Sequence, residues 1–247
     1  MENLAAAELS EVERDSSHPS AGVPVPKYLS ETYWWAYLHP NAVKIFERQW
    51  LVNLILWGNF RRLRDAAIDL LGNPIRGSTL QVACVYGDLT PRLLARHAPQ
   101  ASLDVVDVLP VQLDNLSRKL GSAASRVALR LGDSSNLKGP DACYDQVLVF
   151  FLLHEQPEQV RRRTLAEVLR VARPGGRVVL VDYHRPHPAN PLRFFMRPLL
   201  RALEPFALDL WRDEIAAMLP ADAPIASVRK RTFFGGLYQV VEVALAY

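Results

Sequence analysis

Cysteine is scarce: Cys84 and Cys143 are the only two in 247 residues. That excludes a disulfide-stapled secreted scaffold and suits a reducing cytoplasm. Each lies inside an apolar run, where it is expected to act as a small buried hydrophobe. Long apolar stretches are missing as well, and none approaches the ~20 residues that a membrane-crossing helix requires. Residues 1–22 contain no apolar core of a signal peptide. One-sided charge is also absent: 29 basic residues stand against 26 acidic ones, a net +3, too little to point to nucleic acid as a partner. What is present is an ordinary soluble composition, 49% hydrophobic and 22% charged, at a length that allows one embellished domain with a full core.

Residues 1–26 are rich in Ala, Ser, Glu and Pro without periodicity and read as a disordered tail. Residues 27–77 read as an N-terminal helical lid. An aromatic stretch, Tyr28 to Pro40, leads into Asn41–Leu71, where Phe46, Trp50, Leu54 and Trp57 recur at helical spacing before a turn at Gly72–Gly77. From 78 to 247 the pattern alternates between strand and helix. Strands are predicted at Leu80–Val85, Ser102–Val108, Arg126–Leu131, Gln146–Leu153 and Arg177–Asp182, with helices starting at Thr90-Pro91, Val111 and Pro157. A helical segment near 190–218 and two strands, Ser227–Phe233 and Tyr238–Ala246, follow. Five parallel strands and a closing antiparallel pair describe an α/β fold with a doubly wound, mostly parallel seven-stranded sheet.

In such a sheet a ligand binds beyond the carboxyl ends of the strands. The loop after the first strand reads Leu80-Gln-Val-Ala-Cys-Val-Tyr-Gly-Asp88. It resembles the cofactor loop of class I S-adenosylmethionine-dependent methyltransferases, but keeps one glycine of three: Gly87 remains, Ala83 and Val85 stand in the other two places, and Gln81 replaces the usual acid. Asp107 closes the second strand, where a carboxylate can accept both ribose hydroxyls or simply cap a helix. Asp133 and Ser134 follow the third strand, near the expected adenine position, or form a plain turn. Arg173-Pro-Gly-Gly-Arg-Val-Val-Leu-Val-Asp182 matches the superfamily's last parallel strand. Ala83, Tyr86, Gly87, Asp107, Val108, Asp133, Ser134 and Phe150 make up the expected S-adenosylmethionine site.

Longer blocks narrow the likeness. Thr32-Tyr-Trp-Trp-Ala-Tyr-Leu-His-Pro40, Gln49-Trp-Leu-Val-Asn-Leu-Ile-Leu-Trp57, the loop at 81–88, Phe150-Phe-Leu-Leu-His-Glu-Gln156 and Val181-Asp-Tyr-His184 resemble the rhodoquinone biosynthesis methyltransferase-like family. That resemblance implies replacement of a ring methoxy group of ubiquinone by an amino group, with S-adenosylmethionine as amino donor and Mn2+ required. His154, Tyr86 and Tyr183 are the catalytic candidates. His154, Glu155, Asp182 and His184, all following the fourth and fifth strands, are the metal candidates, since manganese prefers oxygen ligands with some imidazole. Each has a plainer alternative as a loop hydrogen bonder, a helix-end charge or a strand-end cap. A conventional methyltransferase acting on a quinone or phenol, and a non-catalytic subunit of a quinone-biosynthesis complex, remain the competing readings.

A lipid quinone as substrate calls for a peripheral protein on the inner, cytoplasmic membrane face. After Asn190-Pro191, Leu192, Phe195, Met196, Leu199, Leu200 and Leu203 fall on one helical face and Arg193, Arg197 and Arg201 on another. That pattern suits anionic headgroups or, equally, packing on the core. Tyr33–Tyr37 is a candidate quinone channel, and Arg161–Arg163 reads as a solvated helix start.

Overall fold

A computed structural model describes residues 25–32 and 49–247, apart from the side chains at 30–32, 49, 50 and 52. Nearly all of the expected tail, the Tyr33–Tyr37 channel and Phe46 lie outside the described residues. Helices α1 (Lys27–Thr32), α2 (Gln49–Ile55) and α3 (Phe60–Leu71) precede the sheet. Strands β1 (Ser78–Val82), β2 (Ser102–Asp107), β3 (Val127–Leu131), β4 (Tyr144–Phe150) and β5 (Ala172–Tyr183) follow, with α4 (Leu89–Arg96), α5 (Pro110–Leu120) and α6 (Glu158–Val171) between them. The chain then forms α7 (Leu192–Leu203), the short helices α8 (Asp209–Arg212) and α9 (Ile215–Met218), and strands β6 (Ile225–Phe233) and β7 (Tyr238–Leu245).

The sheet order is β3-β2-β1-β4-β5-β7-β6. The first five strands pair in parallel and β7 runs antiparallel to both β5 and β6, as the alternation predicts. Two strands stop earlier than their apolar runs suggest. Ala83 and Phe151 both have positive φ, 70° and 52°, so β1 and β4 break there and their apolar continuations become site loops. The strand β5 starts earlier than expected, because Ala172 already pairs with Tyr144 ahead of the glycine turn.

The core fills both faces. From α3, Phe60, Leu63, Ala67, Ile68 and Leu71 are buried, with the Phe60 ring edge-on to Phe150 at 5.9 Å. Each such large side chain contributes about 2 kcal/mol by leaving water. The chain leaves β1 toward β2 but leaves β4 toward β5, so the adjacent carboxyl ends of β1 and β4 mark the point where strand order reverses, and a crevice opens there.

Candidate functional site

The crevice is walled by the loops after β1, β2, β3 and β4 and closed from above by α1 and the end of α2. Ala83, Tyr86, Asp107, Val108, Asp133, Ser134, Phe150, His154, Glu155 and Tyr183 all line it, so most of the residues expected from sequence are brought together. Gly87, Asp182 and His184 do not line it. Gly87 is a buried turn residue at φ 84°, and its carbonyl, with that of Val85, accepts from the Lys119 ammonium at 2.7 and 3.2 Å. The degenerate loop is thus tied down from α5. Ala83 occupies the left-handed conformation that a glycine would take without strain. Val85 and Tyr86 both face the crevice, and the Tyr86 hydroxyl accepts from the buried Gln112 amide at 2.8 Å. Gln81 turns away: its amide donates to the Ala83 carbonyl, and its oxygen accepts from Thr90. Thr90 is therefore a buried strap from α4 to β1.

The Asp107 carboxyl accepts from the backbone N–H groups of Cys84 (2.7 Å) and Leu109 (2.8 Å). Burial nevertheless raises it to about 6, against the pull of those donors. Asp133, whose carboxyl accepts from Ser135 N–H at 2.8 Å, Glu155 and Glu204 bring three more carboxylates to the same crevice, and among the described residues no Lys or Arg lines it. Such a lining complements a cationic ligand with hydroxyls to donate, and S-adenosylmethionine is one. Ser134 is bound behind the wall to Thr164 and Gln156.

His154 sits on a 3-10 turn, Leu153–Glu155, directly after β4. Asp182, fully buried at the end of β5, holds that turn by accepting from the N–H groups of Leu153 (2.9 Å) and His154 (3.2 Å), and its second oxygen lies 2.9 Å from His154 Nδ1. Burial pushes the imidazole pKa down, but the Asp182 carboxylate outweighs it and the result is about 9. With Nδ1 committed to Asp182, Nε2 is the atom left for proton transfer. The ring is edge-on to Tyr183 at 4.9 Å and to Phe151 at 5.9 Å, so the imidazole works against an aromatic wall. Burial lifts the Tyr183 phenol well above its ordinary range.

The four metal candidates do not form a ligand set. Asp182 spends its oxygens on the His154 turn and on Tyr183 N–H. His184 faces elsewhere, bonded to the Gly236 carbonyl and placed beside Glu214 and Lys230. The His154–Glu155 approach is 3.9 Å, and no group of three or more His, Cys, Asp or Glu among the described residues is arranged to hold a metal ion. Manganese therefore does not fit the residues expected to bind it.

Several lining residues escape the sequence pattern. Tyr28 reaches in from α1, its phenol pushed upward by burial and by Glu155, with Asp133 and Asp107 adding; the aromatic stretch beginning at Tyr28 was its only signal. Glu204 follows α7, and Cys84, half-buried like Cys143 and not deep in the core as expected, lies on the first loop. Arg161 is the sharpest departure. It is fully buried, donating to the carbonyls of Leu153 (2.8 Å), Gln156 (2.8 Å) and Phe206 (3.1 Å), while Arg162 and Arg163 are the solvated pair.

Comparison with known proteins agrees with this geometry. Residues 79–176 match the family model of a methyltransferase domain. A demethylmenaquinone methyltransferase of Deinococcus radiodurans is 35% identical over 129 residues, covering 52% of this chain and 51% of that protein. The ubiquinone/menaquinone biosynthesis C-methyltransferase UbiE of Ectopseudomonas mendocina is 30% identical over 147 residues, 58% of this chain and 55% of that one. The chain thus spans about half the length of these curated relatives. An O-methyltransferase family protein from Burkholderia thailandensis superposes with a TM-score of 0.64 at 18% identity, over 83% of this chain and 60% of its own. The protein has the class I methyltransferase fold, with a methyltransferase domain matched across residues 79–176.

Proposed function

We propose that the chain is an S-adenosylmethionine-dependent transferase acting on the ring of a quinone or quinol. The observation that carries this is the His154–Asp182 pair set in an aromatic wall of the crevice that Asp107 also lines. Bound S-adenosylmethionine supplies an electrophilic sulfonium methyl group. Asp107 is placed to accept the ribose hydroxyls, Asp133 to meet the adenine edge, and Phe151 and Tyr183 to hold a flat ring beside His154. Carbon methylation of a quinol requires a ring hydroxyl to lose its proton, and His154 Nε2 takes it while Asp182 stabilises the imidazolium that forms; the ring carbon that receives the methyl group then loses its own hydrogen as a proton and the hydroxyl re-forms. The demethylmenaquinone and ubiquinone/menaquinone methyltransferases among its relatives favour this reading.

The first loop favours a second reading on the same site. Val85 and Tyr86 line the part of the crevice where glycines would cradle the methionyl portion, so the α-amino group is a candidate for transfer to a ring carbon of ubiquinone: the methoxy group leaves as methanol, water completes release of the cofactor's skeleton as its α-keto acid, and the two electrons from Cα reduce the ring, giving the quinol form of rhodoquinone. Because Mn2+ finds no ligand set in the residues expected to bind it, no step is assigned to it. One measurement separates the two: turnover with S-adenosylmethionine carrying carbon-13 in the methyl group and nitrogen-15 in the amino group. Label from the methyl in the quinone, with S-adenosylhomocysteine released, supports methyl transfer; nitrogen-15 in the quinone supports amino transfer. Neither label in any quinone or quinol would sink both.

A further inference from the structure

The helix α7, Leu-Arg-Phe-Phe-Met-Arg-Pro-Leu-Leu-Arg-Ala-Leu, buries only Met196 and Leu200. Its outward surface carries Phe194, 72% exposed, and Phe195, 55% exposed, together with exposed Arg197, Pro198, Arg201 and Ala202. No carboxylate occurs within the helix, so its three arginines meet none inside it. The apolar surface continues onto the end of α2 and the corner after it. The Trp57 ring stands edge-on to Phe195 at 5.8 Å, and Leu54 beside it is 64% exposed. Large aromatic and aliphatic side chains interleaved with arginine make a poor contact for water and a good one for the boundary between anionic headgroups and acyl chains.

Its position gives the surface a purpose. Ile55 belongs both to this exposed surface and to the wall of the crevice. Glu204, whose N–H caps α7 at the Leu200 carbonyl, lines the crevice from the other side. We propose that α7 and the α2–α3 corner seat the protein on an anionic bilayer, with the crevice mouth facing the lipid so that a membrane-held substrate enters from the acyl layer. This rests on the reading of the crevice as a site for a lipid quinone and adds its route of delivery. The positive charge selects an anionic lipid surface over a neutral aromatic segment or a second copy of the same basic helix.

Flotation of the full chain with vesicles tests it, using phosphatidylcholine alone and phosphatidylcholine with added phosphatidylglycerol. Wild-type protein should float only with the anionic vesicles and should be released by salt. Phe194→Ser with Phe195→Ser, and separately Arg197→Glu with Arg201→Glu, should each weaken vesicle binding by about tenfold or more. Both double variants should keep the melting temperature and calorimetric S-adenosylmethionine affinity of the wild type, since none of the four residues lines the crevice. Wild-type protein that ignores anionic vesicles would overturn the proposal, as would folded variants that bind them undiminished or a patch whose loss only dissolves a dimer in sedimentation. Vesicle binding without S-adenosylmethionine binding would instead leave the surface standing and remove the reading of the crevice.

Discussion

His154 is held at about 9 by two opposed effects, burial lowering its pKa and the Asp182 carboxylate raising it further. A base must be unprotonated to accept a proton, so turnover should climb with pH through a midpoint near 9 and level off only above it. Asp182→Asn removes the largest raising charge and leaves burial opposed only by Glu204 and Glu155, which should move that climb to lower pH and lower the plateau. His154→Asn should cost about 10²- to 10⁴-fold in kcat with cofactor affinity kept. Asp107 gives a separate signal. Its carboxyl is raised to about 6, and ribose hydroxyls are accepted best by the ionised form. Affinity for S-adenosylmethionine should therefore fall below pH 6, by up to about tenfold per unit, and calorimetry across pH 5–7 checks it. The folded-state pKa being raised, Asp107 favours folding most below its unfolded value, and that stabilisation is lost as pH climbs through 6. At Ala83, φ 70° strains any residue with a Cβ; Ala83→Gly should raise stability by about 1 kcal/mol, seen as a higher melting temperature.

Among the elements, the turn that carries His154 depends on a residue outside the crevice. Arg161 on α6 ties the Leu153 and Gln156 carbonyls of that turn to the Phe206 carbonyl of the segment after α7. Arg161→Met removes the donor from two buried carbonyls and the part-buried Phe206 carbonyl and should cost about 3 kcal/mol or more. Arg161→Lys restores charge and part of the bonding, and the pH midpoint of turnover should recover with it if the residue works by placing His154. The sequence could not disclose this, because an Arg-Arg-Arg run at a helix start has the same composition whether its first member points to water or inward. The five parallel strands, the closing antiparallel pair and the crevice residues at the ends of β2, β3 and β4 were legible, since period and apolar runs report burial directly. The metal set was not: adjacency at the ends of β4 and β5 put Asp182 and His184 near the right level, but side-chain direction sent one into backbone bonding and the other toward Glu214. The ends of β1 and β4 were misjudged for a related reason, as positive φ at Ala83 and Phe151 leaves no mark on hydropathy.

For the molecule as a whole, delivery and chemistry separate cleanly. If the bilayer supplies the substrate, anionic vesicles should raise turnover of a long-tailed quinone while leaving a tail-less analogue unaffected, and the Phe194→Ser, Phe195→Ser variant should lose the gain only for the former. No described helix is long and apolar enough to cross a membrane. Attachment through the arginines of α7 should weaken as ionic strength rises. The sheet carries one further consequence. In chain order β7 comes after β6, yet it lies between β5 and β6. Its Gln239 amide donates to the Tyr183 carbonyl at 2.7 Å, and its Tyr238 ring lies against Tyr183 at 5.6 Å. During synthesis, then, the half of the sheet that seats the His154 partner Asp182 waits with an open slot until β7 leaves the ribosome. A premature stop between Phe233 and Tyr238 would release a chain in which β5 and β6 both lack their partner and the catalytic wall is loosened, a species suited to chaperones and proteases and not to slow turnover.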